Sequence, residues 1–242
     1  MKKRAKALFA AMVLVLTARA AEPPMELEDR PFQAERVSQT LSIGARHHYL
    51  RRLDWTQPEL TVTLPCLVDR QSGRVLDCLG EPEGGVSLLQ RNTAEQLARG
   101  LVFGLSPAER SDPRGLRVAI PVRLAQADMR PLDFEGPALR YTELPFVTQP
   151  GAAEIERAFP VFALREGVGA LVGLLCQVQS DGSLVCRDPQ VTQSGTDARL
   201  TRDFARAAER LVLQYQVAAQ LSDGRPSDGA IVAFAFEFSV AE

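Results

Sequence analysis

The chain predicts a two-layer α+β fold built twice in tandem, and three observations carry that prediction. Two cysteine pairs each straddle a glycine turn, in "CLVDRQSGRVLDC" (66–78) and in "CQVQSDGSLVC" (176–186). Each pair is followed by a turn, an amphipathic helical stretch, a loop and a closing strand in the same order. The unit strand–strand–helix–strand leaves one apolar face on the sheet and one on the helix. Those two faces make a core only against each other.

The first element is "MKKRAKALFAAMVLVLTARA", with Lys2, Lys3, Arg4 and Lys6, an apolar run from Ala7 to Val15, and Ala18-Arg19-Ala20 at its end. A basic start, a short apolar stretch and small residues at the cleavage positions predict a secretory signal over 1–20. The run is shorter than the roughly 20 residues that span a bilayer, and no later segment is apolar enough. The expected location is therefore exported and periplasmic, with no membrane span in the mature chain. The alternative is an inner-membrane anchor formed by an uncleaved N-terminal segment. Of 28 Lys+Arg, five lie in that segment, so 23 face 30 Asp+Glu beyond it, a net charge of −7. Phosphate binding needs clustered basic side chains, so nucleic acid is not an expected partner. Every lysine lies within the first 20 residues, which excludes a P-loop or a Schiff-base lysine downstream.

Residues 21–58 form a lead-in of undetermined structure that holds "GARHHYL" and "LDWTQP". The first domain is expected over 59–124. In its hairpin a loop Gln71-Ser72-Gly73 places Val68 opposite Leu76 and Cys66 opposite Cys78. Thr93 and Gln96 then have capping-box spacing, and Ala94, Leu97, Ala98 and Leu101 form a stripe. The strand "LRVAIPVRL" closes the unit. Residues 125–150 carry Pro131, Pro137, Pro145 and Pro150 and read as an extended linker.

The second domain is expected over 151–242. Pro160 can open a short helix with Ala163 and Leu164 inward, ended by Gly167 or Gly169 in the left-handed region. The loop Ser180-Asp181-Gly182 sets Val178 opposite Leu184 and Cys176 opposite Cys186. Directly opposed residues in a hairpin lie within bridging distance, so Cys66–Cys78 and Cys176–Cys186 are expected disulfides. The helix "ARLTRDFARAAERLVLQY" puts Leu200, Phe204, Ala207, Ala208, Leu211 and Tyr215 inward. In "AIVAFAFEF", Val232, Phe234, Phe236 and Phe238 share the bulky face that should cover this helix. Ile231, Ala233, Ala235 and Glu237 share the small face that stays open.

These residues resemble the C-terminal domain of TonB-type energy transducers. The likeness is best over about 155–238, in "FPVFALREGVG", "LLCQVQSDGSLVC", "LTRDFARAAERLVLQY" and "DGRPSDGAIVAFAFEF". The first copy, about 60–124, keeps the hairpin, "GLRVAIPVRL" and "LVFGLSP". There Phe103, Leu105 and Pro107 are similar to the family's aromatic-x-apolar-x-Pro helix exit. The resemblance implies two tandem TonB-C-terminal-like domains, each with an exposed sheet edge that takes up an extended peptide by strand addition. An outer-membrane receptor or another envelope protein is the implied partner. The expected edge is the closing strand of the second domain, at Ile231, Ala233, Ala235 and Glu237. A working transducer has an inner-membrane helix and a long Pro-rich span, whereas this chain's 16 prolines are scattered. That departure argues against a direct part in energy transmission.

A second reading is a structural envelope protein that pairs with itself, as a homodimer, through an unpaired edge. A third is an enzyme with a site between the domains. Against the third, the only histidines are the neighbours His47 and His48. They cannot face one metal from regular structure and are expected in a surface loop. No H-E-x-x-H, G-x-S-x-G or EF-hand loop is present. Asp181 and Asp223 precede glycines and read as turn residues, and Trp55 reads as a packing anchor. No enzyme activity, metal or other cofactor is expected.

Overall fold

A computed structural model describes residues 26–78, 85–129, 133–193 and 197–240. The expected signal at 1–20 lies outside the described residues. Among those described, no helix is long and apolar enough to cross a membrane. The architecture is mixed α+β.

In the first half, β1 (Leu27–Arg30), β2 (Val37–Gln39) and α1 (Ile43–Leu50) precede the hairpin of β3 (Glu59–Val68) and β4 (Val75–Cys78). Then follow α2 (Leu88–Arg99), β5 (Leu101–Phe103), α3 (Pro107–Arg110) and β6 (Gly115–Ala125). The sheet order is β1-β6-β3-β4, with β1 parallel to β6. In the second half, β7 (Ala138–Leu139), β8 (Phe146–Thr148), α4 (Ala152–Ala158) and α5 (Val161–Glu166) precede β9 (Ala170–Val178) and β10 (Leu184–Cys186). The chain continues as β11 (Gln190–Gln193), α6 (Ala198–Val212), β12 (Gln216–Val217) and β13 (Ile231–Phe238). The second sheet runs β10-β9-β13-β7, with β11 also on β9 and β7 parallel to β13. Short ladders β2–β5 and β8–β12 complete each half.

Period 2 in the strands and 3.6 in the helices build the two cores. In the first, Val62, Leu64 and Cys66 of β3 and Leu116, Val118, Ile120, Val122 and Leu124 of β6 are buried with Ala94, Leu97 and Ala98 of α2. In the second, Val232, Phe234, Phe236 and Phe238 are buried with Leu200, Phe204, Ala207, Ala208 and Leu211 of α6. Each large side chain so removed from water contributes about 1.5–3 kcal/mol before its entropy cost.

The second hairpin has the expected register, Val178 opposite Leu184 and Cys176 opposite Cys186, and Gly182 takes φ 78°. The first departs from it. Cys66 faces Cys78, but a bulge after Leu67 puts Val75 opposite Val68 and turns Leu76 outward, 60% exposed. Both cysteine pairs are disulfides. Helix α2 starts earlier than its spacing suggests. Ser87 and Gln90 form the capping box, while Thr93 is buried inside α2 and Leu101 belongs to β5. Pro160 caps α5 and Gly167 ends it at φ 65°, with Ala163 buried as expected. Leu164 is 54% exposed instead of inward, because the left-handed turn one residue past the helix leaves only Ala163 over the core.

The expected linker 125–150 supplies short strands to the second half, and 130–132 lie outside the described residues. Residue 125 ends β6, and β7 and β8 lie inside the segment. Two of its prolines, Pro137 and Pro145, fit because they serve as acceptors only. The Pro137 carbonyl takes the Ile231 N–H at 2.8 Å, and the Pro145 carbonyl takes the Ala218 N–H at 2.8 Å. Gly136 is needed there, since a Cβ would sit 1.8 Å from the Gly229 carbonyl oxygen. The described part of the lead-in, 26–58, has the same role in the first half. β1 covers the start of β6 as β7 covers the start of β13, and β2 pairs β5 as β8 pairs β12. The repeat is therefore longer than the sequence suggests, strand–strand–helix preceding the strand–strand–helix–strand unit.

Candidate functional site

The open edge of β13 follows from its hydrogen bonds. The Ile231 amide points away from β9, to Pro137. Backbone groups alternate along a strand, so those of Ala233, Ala235 and Glu237 point the same way. β7 pairs only with Ile231 and Val232. The chain then leaves the edge for the core side, where the Tyr141 ring lies 5.5 Å from that of Phe234. From Ala233 to Phe238 no strand lies on the side of β13 away from β9 among the described residues. Ala233, Ala235 and Glu237 are exposed, with small side chains at the first two. Ile231 is a correction to the expected set. It is 8% exposed because β7 has closed over it.

The first half blunts the same edge. Gly115 donates to the Glu26 carbonyl at 2.8 Å, so Arg117, Ala119, Pro121 and Arg123 turn their backbone outward. Cys66 faces Val118 and Cys176 faces Val232, which places Pro121 at the position of Ala235. Pro121 has no N–H to offer an incoming strand, and proline is one way that sheets protect an edge. The covering strand is also longer there, four residues in β1 against two in β7.

Where the two halves meet, α1 packs against both α2 and β10. Its N-terminus is capped by Ser42, whose side chain accepts from the Ala45 N–H. Two further orphan amides are satisfied by the second hairpin. Ile43 donates to Asp181 Oδ2 at 2.7 Å, and Gly44 donates to Ser183 Oγ at 2.8 Å. Gly44 must be a glycine, since a Cβ would lie 2.4 Å from the Leu184 carbonyl oxygen. At the other end Glu209 of α6 receives Arg51 Nη2 and, at 2.6 Å, Arg52 Nη2. The expectation of a histidine pair in a surface loop is thereby overturned. His47 and His48 are 8% and 9% exposed in α1, because the second half covers the face they share with Arg51. Trp55 packs against the first core as expected.

The His48 imidazole is pulled down to about 3, first by burial and then by Arg52, Arg51, His47 and Arg210. Glu209, 4.0 Å from Nδ1, does not reverse this. Burial likewise lowers His47, helped by Arg51. A depressed histidine is neutral in the folded chain, while the unfolded chain binds its proton below about 6.5. Their contribution to stability is therefore constant above that pH and falls as the pH drops below it, by at most about 1.4 kcal/mol per unit per histidine. Urea unfolding at pH 7 and pH 5, above the carboxylate range, should show this loss. His48→Gln should remove much of it, and an unchanged slope would refute the assignment.

Among the described residues no group of His, Cys, Asp or Glu could hold a metal ion. No protein-family model, curated protein or solved structure matches the chain.

Proposed function

We propose that this protein is a periplasmic, TonB-like binding or adaptor protein of envelope transport, which captures an extended peptide by strand addition on β13. The observation that carries the reading is the uncovered run from Ala233 to Phe238, beside a first half whose matching position is Pro121. A guest strand there would exchange main-chain hydrogen bonds with Ala233, Ala235 and Glu237. The small outer side chains of Ala233 and Ala235 leave room for its own. The resemblance of "DGRPSDGAIVAFAFEF" to a TonB-type closing strand supports the same edge. An outer-membrane receptor is the proposed partner. The same open edge also supports pairing between two copies of the chain.

Ala235→Pro tests the reading, because the first half shows that this fold accepts proline at that position. The variant should keep its far-UV spectrum and melting curve and lose the receptor in pulldown from envelope extract. Ala119→Pro, on the blunted edge, should bind as the unchanged chain does. Loss at Ala119→Pro with normal capture by Ala235→Pro would move the working edge to the first half. Recovery of the protein alone, with a dimer in sedimentation that Ala235→Pro dissolves, would favour self-pairing.

A further inference from the structure

A cavity of about 320 Å³ lies in the first half, between the β1–β2 crossing and the segment from β5 to the start of β6. Its floor is apolar, built by Phe103, Leu116 and Val118, which are 7%, 2% and 3% exposed. Phe32 braces this floor edge-on to Phe103, with ring centroids 6.2 Å apart. Its mouth is charged, with Arg30, Arg36 and Glu109 lining it. The volume is within the range of small-molecule pockets, about 300–1,000 Å³, at the small end.

The mouth is not neutral. Arg36 holds Glu109 through Nη2 at 2.6 Å and Nη1 at 2.9 Å, and Arg30 Nη1 bonds the same carboxylate. Glu109 also accepts from the Ser106 amide at 2.6 Å, as the capping box of α3. These donors hold its carboxyl well below the usual range, so it remains an anion. Two guanidinium groups thus share Glu109 at the opening, and every N–H of Arg36 is taken up by Glu109, the Gly104 carbonyl or Gln33. Arg30 spends Nε on Glu28 at 2.6 Å, and its Nη2 has no protein partner among the described residues. At the matching positions the second half carries apolar residues. Arg30 faces Val118 where Leu139 faces Val232. The Arg36 carbonyl accepts from Gly104 as the Pro145 carbonyl accepts from Ala218. Both arginines are therefore replaced by apolar residues in the second half.

We propose that this cavity binds a small amphiphile with an apolar body and one anionic head. Phe103, Leu116 and Val118 receive the body, and the free Nη2 of Arg30 receives the head, with the Arg36 charge beside it. A guanidinium N–H suits a carboxylate, and binding at the edge of an apolar floor makes the charge-assisted bond stronger than in open water. The site lies on the first half, away from β13, so it stands or falls independently of peptide capture.

Titration calorimetry with three ten-carbon probes tests it, using decanoate, decanol and decyltrimethylammonium below their aggregation concentrations. Decanoate should bind saturably at one site, with decanol roughly tenfold weaker and the cation weaker still. Arg36→Met should reduce decanoate to the level of decanol while leaving decanol unchanged. Leu105→Trp, which fills the cavity from its wall, should abolish both. Arg30→Met should repeat the Arg36→Met result and decides the matter should the tryptophan variant fail to fold. Absence of saturable decanoate binding would overturn the proposal. So would equal affinity for decanol or the cation, or an affinity for decanoate indifferent to both arginine variants.

Discussion

Phe204→Ala is expected to lower the unfolding free energy by about 4 kcal/mol. The ring is 0% exposed and meets Phe159 at 5.9 Å and Phe238 at 5.4 Å. Its neighbours lie on α6, β13 and the turn before α5, which the sheet and the helix caps hold apart. They cannot collapse onto an alanine, so most of the cavity should persist. Denaturant titration gives the number directly, and a loss below about 1.5 kcal/mol would mean that the site repacks. The same titration tests the coupling of the halves. Trp55 is the only tryptophan and packs on the first core, so its fluorescence reports that half, whereas far-UV dichroism reports both. With α1 bound to Asp181, Ser183 and Glu209, the two midpoints should fall together. Separate midpoints would show that the halves unfold independently.

Replacing Cys176 and Cys186 by alanine is expected to cost about 3 kcal/mol, the loop-entropy value for a bridge closing a short segment. The ten-residue separation encloses the turn that holds Asp181 and Ser183. A looser turn should release the Ile43 and Gly44 amides, which would then exchange hydrogen faster even under conditions where the fold survives. The Arg51 side chain, which donates to the Cys186 carbonyl at 3.2 Å, should lose that anchor as well. Removing Cys66 and Cys78 should destabilise the first half to a similar degree but leave those two amides protected. Equal exchange in both variants would separate the bridge from the contact between the halves.

The cysteine registers were legible because a glycine turn and a side-chain period of two leave few ways to align a hairpin. The second hairpin obeyed that rule, while the bulge after Leu67 broke it in the first and exposed Leu76. The inner face of α6 was legible from its 3.6-residue stripe, and the open face of β13 from alternation. The covering strands β1 and β7 were not, since strands of four and two residues carry too little periodicity to register. That gap misplaced Ile231 on the open edge and made 125–150 read as a linker. His47 and His48 misled for another reason. Local sequence cannot show that a face of α1 will be buried by a hairpin far along the chain. The arginine-lined cavity had no sequence signal, because Arg30, Arg36 and Glu109 meet only through tertiary structure.

The bonds from Ile43 to Asp181 and from Gly44 to Ser183 join residues 138 and 139 positions apart. During synthesis the helix exists long before its receptor does. The first sheet can close without the second half, since β1, β3, β4 and β6 all precede residue 126. The helix face carrying Gly44 and both histidines then waits in water until the second hairpin has emerged and oxidised. Long-range closure of this kind is slow, because loop entropy is lost before the contact repays it. Docking of α1 should therefore be the last step to appear in refolding, after both cores have formed. A nascent chain stopped short of residue 183 should display that face, giving cellular quality control a marker of incomplete molecules.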